Sequence, residues 1–183
     1  MSVGEQYGST EEYWGGFWPD AGRSTGGAPP VDRVNWTQYP GHGPGAEFLG
    51  APSTALELGS ANLAESRQQW DAVFSDWGAS FFIDPEILLP LILPRLNPGG
   101  VLAFSCVEAL HPGYGPQVLY GNGYRGRRLA VVRWMFPPAQ WIDALERHGY
   151  VNIDVRILPA VNDDHVGTLM GRAYRAPACN VAE

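Results

Sequence analysis

Apolar positions in this chain gather into short, dense runs that end on an acidic residue with a glycine, or on a cluster of Gly and Pro. Ala55-Leu56-Glu57-Leu58-Gly59-Ser60-Ala61 is the first such run, and it has the form of a buried parallel strand opening into a tight turn. Asp71-Ala72-Val73-Phe74-Ser75-Asp76-Trp77-Gly78 repeats that form after only the nine residues from Asn62 to Trp70. A third run, Val101-Leu102-Ala103-Phe104-Ser105, follows the turn-forming Asn97-Pro98-Gly99-Gly100. The pattern predicts strands over 53–58, 71–76 and 101–105, with at most two helical turns over 62–69. Asp84-Pro85-Glu86 supplies an N-cap, a first-position Pro and an acidic first turn, so a helix starts there. Ile87, Leu88, Leu91 and Ile92 recur behind it at helical spacing, but Pro90 and Pro94 interrupt them, which makes this helix over 85–95 short or kinked. A second helix is predicted over 137–147, from Pro137-Pro138 to a C-cap at His148-Gly149, followed by strands near 151–158 and 165–174. Residues 106–136 form an aromatic, Gly-rich excursion longer than an ordinary connection, and so a candidate for function. The sequence shows no internal repeat or heptad.

Ahead of the first run the pattern changes. The first 52 residues hold eleven Gly and six Pro, about a third of the segment, which rules out a long helix. Eight aromatics are interleaved there, among them Trp36, Tyr39 and Phe48, and aromatic area of that kind asks to be buried. The reading is a partly mobile segment over 1–29, an α/β domain over 30–176 whose residues 30–52 form an ordered lid, and a tail over 177–183.

A chain of 183 residues with 45% hydrophobic content suits one core. A net charge of −7 argues against affinity built on counterion release from nucleic acid, which needs clustered Lys and Arg. Arg125, Arg127 and Arg128 do cluster, and are read as a solvated turn. With no run of about 18 apolar residues and a polar start over 1–10, a cytoplasmic protein without a membrane partner is expected. Cys106 and Cys179 have neither a metal spacing nor a disulfide framework, so no metal is expected and reduced thiols are the default.

The three runs, with the Leu-rich helix between the second and third, together resemble the S-adenosylmethionine-dependent methyltransferases of class I, over roughly residues 36–174. The resemblance implies a three-layer Rossmann-like α/β fold with a truncated, mostly parallel sheet and an antiparallel last strand. Under it the first run ends the family's first strand and the second run is its fourth, so the second and third strand–helix units are missing. The sheet is then ordered first, fourth, fifth and the two C-terminal strands. Residues 59–70 then make the crossover, and a right-handed one places helix 62–69 on the face carrying helix 85–95. The resemblance implies S-adenosylmethionine as cofactor and a small-molecule methyl acceptor as partner. Glu57, Gly59 and Ser60 match the motif along which the backbone passes the methionine end of the cofactor, and Ser75, Asp76, Trp77 and Gly78 match the residues bordering the sulfonium. Ala61 stands where the family has glycine, and its methyl group crowds the ligand. The family's ribose carboxylate and adenine contacts sit on the two missing units, which impairs cofactor binding.

Other chemistry is sparser. Candidate bases for an acceptor that must lose a proton are His111, Tyr114, Tyr120 and Tyr124, with Trp77, Tyr120 and Trp134 as pocket walls. His42 lies in a turn-rich loop where the family caps its cofactor, His148 beside a capping glycine, and His165 without a partner at a metal spacing. Two further readings stay open: a non-catalytic interaction or regulatory module keeping part of the fold, and an NAD-type oxidoreductase in which Asp76, seventeen residues after Gly59, serves as the ribose carboxylate. The bare edge of the first strand also predicts a homodimer.

Overall fold

The computed structural model describes residue 34, residues 36–58, residue 63, residues 67–120 and residues 130–178. Five strands form one sheet in the order β1-β2-β3-β7-β6, where β1 is Ala55–Glu57, β2 Trp70–Asp76, β3 Leu96–Val107, β6 Tyr150–Leu158 and β7 Thr168–Arg175. The pairs β1–β2 and β2–β3 are parallel, while β3–β7 and β7–β6 are antiparallel, so only β7 opposes the other four. This is the expected order, with the last strand of the chain antiparallel and slotted inside the sheet. Between strands lie α1 (Ala79–Phe82), α2 (Pro85–Ile92) with a 3-10 turn at Leu93–Arg95, and α3 (Pro138–Arg147).

Strand alternation gives the sheet two unlike faces. One carries Val73, Leu102, Phe104, Cys106, Leu169 and Ala173, and buries them against Leu88, Leu89 and Ile92 of α2 and Trp141, Ala144 and Leu145 of α3. The other face presents Phe74, Ala103, Met170 and Leu158 to Trp36 and Phe48, the latter in a 3-10 turn at Ala46–Leu49. The third layer is therefore an irregular strap that includes part of the predicted lid. Trp36 is fully buried, edge-on to Phe48 at 5.0 Å, with its indole N–H donated to Gly45 O.

Local signals place α2 and α3. The Asp84 carboxylate accepts the Glu86 N–H at 2.9 Å as N-cap, Pro85 takes the first position, and the helix yields to the 3-10 turn soon after Pro90. Gly149, at φ +83°, ends the last turn of α3.

Four expectations need correction. Asn97-Pro98-Gly99-Gly100 is not a turn ahead of the strand but a bulge inside it: Trp70 pairs with Leu96 and Ala72 with Val101, so two steps on β2 face five on β3. The Asp71 carboxylate holds the bulge by accepting Asn97 Nδ2 at 2.7 Å, and its other oxygen accepts the Ser53 and Thr54 amides, fastening the start of β1. Those hydrogen bonds, Asn97's foremost, lower the Asp71 pKa. Second, residues 67–69 are not helical, and β2 begins at Trp70; residues 62 and 64–66 lie outside the described residues. Leu63 is buried in the core that holds α2, and its carbonyl accepts Arg95 Nε, so this point of the crossover lies on the predicted face. Third, the excursion contains a two-stranded antiparallel hairpin, β4 (Gly115–Tyr120) with β5 (Ala130–Met135). Fourth, β1 is paired only over Ala55–Glu57 and β7 begins at Thr168, because 161–165 turn on themselves.

Candidate functional site

The carboxyl ends of β1, β2 and β3 converge, which is where open α/β sheets hold ligands. Register aligns Asp76 with Ser105, and Ser105 Oγ donates to Asp76 Oδ1 at 3.0 Å. Burial pushes the Asp76 pKa up to about 6, with the charge of Glu57 adding to the rise and the Ser105 bond opposing it. Asp76 is thus a carboxyl group of raised pKa at the carboxyl end of β2. Glu57, at the end of β1, is exposed.

Trp77 follows at φ +52°, a left-handed conformation that costs a side-chain-bearing residue about 1–2 kcal/mol. Its amide donates to Ser105 O at 3.1 Å, and its indole N–H donates to Trp36 O at 3.2 Å. The bent backbone turns the chain from β2 into α1, and the indole ties the strap across the end of β2. Strain held at the carboxyl end of a central strand points to a ligand site.

Ser75 is brought to the same strand end but faces inward. It is fully buried, and its hydroxyl accepts the Ser80 N–H and meets Ser80 Oγ, each at 3.1 Å, so it secures α1. Gly59, Ser60 and Tyr124 lie outside the described residues. His111 meets Tyr114 edge-on at 5.8 Å in the loop before β4, Tyr120 is 44% exposed at the far end of β4, and Trp134 of β5 is edge-on to Phe136 at 6.1 Å. Neither of these ring contacts involves Asp76. His42 bonds Pro159 O at 2.9 Å, His148 pairs with Glu86 at 2.9 Å, and His165 stacks on Tyr39, so all three histidines hold structure. Cys106 is buried, and that burial pushes its thiol up to about 12. Among the described residues no three His, Cys, Asp or Glu side chains could hold a metal ion.

Sequence reasoning overlooked three groups. Ser105 ends the third run as Asp76 ends the second, and two parallel runs of equal form were signal enough to set them side by side. Glu108, just past β3, accepts the Gly167 N–H at 2.9 Å and joins the end of β3 to the start of β7. Arg133 on β5 lies over Phe81 and Phe82 of α1, 5.1 and 6.0 Å from the ring centroids, and no linear pattern announces that contact. Two clefts of roughly 260 and 300 Å³ flank the hairpin, the first between Glu108 and Arg133, the second between Tyr114 and Arg147.

No protein-family model matches the sequence, and no curated protein matches it. Solved structures are similar in fold. The 1,6-didemethyltoxoflavin-N1-methyltransferase of Burkholderia thailandensis, with 1,6-didemethyltoxoflavin and S-adenosylhomocysteine bound, is 15% identical with a TM-score of 0.45, over 63% of this chain and 49% of that one. An S-adenosylmethionine-dependent methyltransferase from Mesorhizobium loti is 18% identical with a TM-score of 0.42, over 63% and 68%. One from Methanosarcina mazei is 10% identical with a TM-score of 0.46, over 64% and 66%. The chain spans about half the length of the first of these. The strand order itself, three parallel strands followed by an antiparallel pair in which the last strand lies inside, is that of a mixed, Rossmann-like α/β sheet, the order expected from the sequence.

Proposed function

We propose that this chain is an S-adenosylmethionine-dependent methyltransferase domain acting on a small molecule, with the methionine end of the cofactor at the carboxyl ends of β1 and β2. One observation carries the reading: Asp76, its pKa raised to about 6, stands beside the left-handed Trp77 where the sheet opens. The residues fit one half of the cofactor. Asp76 can accept hydrogen bonds from an ammonium group, and Trp77 offers a wall beside it. On the ribose side the fit fails, since among the described residues no strand lies outside β1 to bring a carboxylate. Losing that partner costs about 1–3 kcal/mol, five- to over a hundredfold in affinity. When bound, S-adenosylmethionine supplies an electrophilic methyl group. The chain's own share is to align the reactants and to keep water out with the strap, whose Trp36 carbonyl is bonded to Trp77.

Calorimetric and thermal-shift titration with S-adenosylhomocysteine tests the reading. Binding is expected, and Asp76→Ala should weaken it by about 1–3 kcal/mol. Absence of heat and of any thermal shift at millimolar ligand overturns it. The second reading, a non-catalytic interaction module, draws support from the same Trp77–Trp36 bond, because a strap fastened there covers the end of β2. The NAD-type reading finds less support: a doubly wound dinucleotide fold is mostly parallel, whereas β7 runs antiparallel between β3 and β6.

A further inference from the structure

The 260 Å³ cleft has a composition of its own. Gln117 pairs with Arg133 across the hairpin, so Gln117, Leu119, Arg133 and Met135 share one ribbon face, and that face closes on Glu108 and Leu110 just past β3. The cleft lies at the same end of the sheet as Asp76. Arg133 reaches α1, which directly follows Trp77-Gly78, and Glu108 follows the strand that carries Ser105.

We propose that this cleft binds a small aromatic acid, and, resting on the methyltransferase reading, that such an acid is the methyl acceptor, with Arg133 selecting its carboxylate. The volume stands just below the roughly 300–1,000 Å³ of drug-sized sites, enough for one ring with few substituents. Leu110, Leu119 and Met135 give that ring apolar contact, and the flexible thioether adapts to its shape. Arg133 supplies a planar fork of donors suited to a carboxylate, and its place over Phe81 and Phe82 limits the orientations the fork can take. Glu108, whose Oε2 is engaged by Gly167 N–H, puts negative charge on the opposite wall, so an anionic group is steered to the Arg133 side. Carboxylate recognition sets the ring's orientation and so which substituent is presented toward the carboxyl end of β2.

The test is a titration followed by protein NMR with three probes of one shape: benzoate, benzamide and benzylamine. Benzoate is expected to bind at least tenfold more tightly than either benzamide or benzylamine. Arg133→Gln should erase the difference between benzoate and benzamide, and Arg133→Lys, which keeps the charge without the fork, should retain part of it. Arg147→Gln, in the second cleft, should leave the preference unchanged. Equal affinity for the three probes, or a benzoate preference that survives Arg133→Gln, overturns the proposal. S-adenosylhomocysteine titrated in parallel separates the two readings: benzoate selectivity without its binding removes the acceptor role and keeps the acid site, whereas its binding without benzoate selectivity removes the acid site alone.

Discussion

Asp76 is an acid placed where ionisation is opposed. Its folded pKa of about 6 stands above the ordinary 3.8, so on raising the pH the unfolded chain releases this proton first. Between about pH 4 and 6 the folded state holds more protons, and this group's contribution to stability falls as pH rises through that window, then stays constant above it. Asp76→Asn keeps an acceptor for the Ser105 hydroxyl and removes the titration. Relative to the wild type, the variant should therefore gain stability between pH 4 and 7, by about 1–2 kcal/mol once solvent screening of a half-exposed group is discounted. Urea unfolding of both proteins at several pH values measures it, and parallel curves would refute the assignment. The residue's identity as a site candidate is legible in the sequence, because a strand ending Ser-Asp-Trp-Gly announces a turn with a carboxylate. Its proton affinity is not, since that depends on burial and on the neighbouring strand.

At the level of elements, local signals read well and cross-element ones do not. The Asp84 cap, the Pro85 start and the Gly149 stop are short-range chemistry, and the helices follow them. The β4–β5 hairpin is hidden because its strands are separated by a long Gly- and Arg-bearing stretch rather than a two-residue turn. Asn97-Pro98-Gly99-Gly100 reads as a turn because its residue types are those of a turn, yet pairing on both flanks keeps it inside β3. The β3–β7 pair shows what register demands of single residues. Phe104 faces Gly171 across the ladder, and a Cβ built on Gly171 would stand 2.1 Å from Phe104 Cζ. The ring is itself confined, 4.6 Å from Trp141 and 1% exposed. Gly171→Ala must displace this pair, and should lower stability by about 1–3 kcal/mol in denaturant unfolding. An unchanged midpoint would show that the stack yields freely.

For the whole molecule, the strand order leaves β1 as an edge among the described residues. Among the described residues β1 pairs only with β2, and it exposes Ala55 and Glu57 around the half-buried Leu56. A short edge with one charge invites a second copy to extend the sheet. Sedimentation at micromolar concentration is expected to show a dimer, and Ala55→Lys, which adds a charge to the edge without touching the core, should return a monomer. A wild-type monomer across that range would count against edge pairing.

The strap meets the far end of the chain: Tyr39 Oη donates to Val166 O across 127 residues, and His42 bonds Pro159 across 117. Those partners lie just after β6 and just before β7, so the strap is expected to dock on an assembled sheet and to open before it. Release of the strap from Trp77 is then expected to require less than global unfolding. In native-state hydrogen exchange the Trp36 indole proton, bonded to Gly45 O, should exchange through a smaller opening free energy than the Ala103 amide in the middle of β3. Equal values for the two would mean that strap and sheet open together, and that access to the end of β2 is governed by the stability of the entire domain.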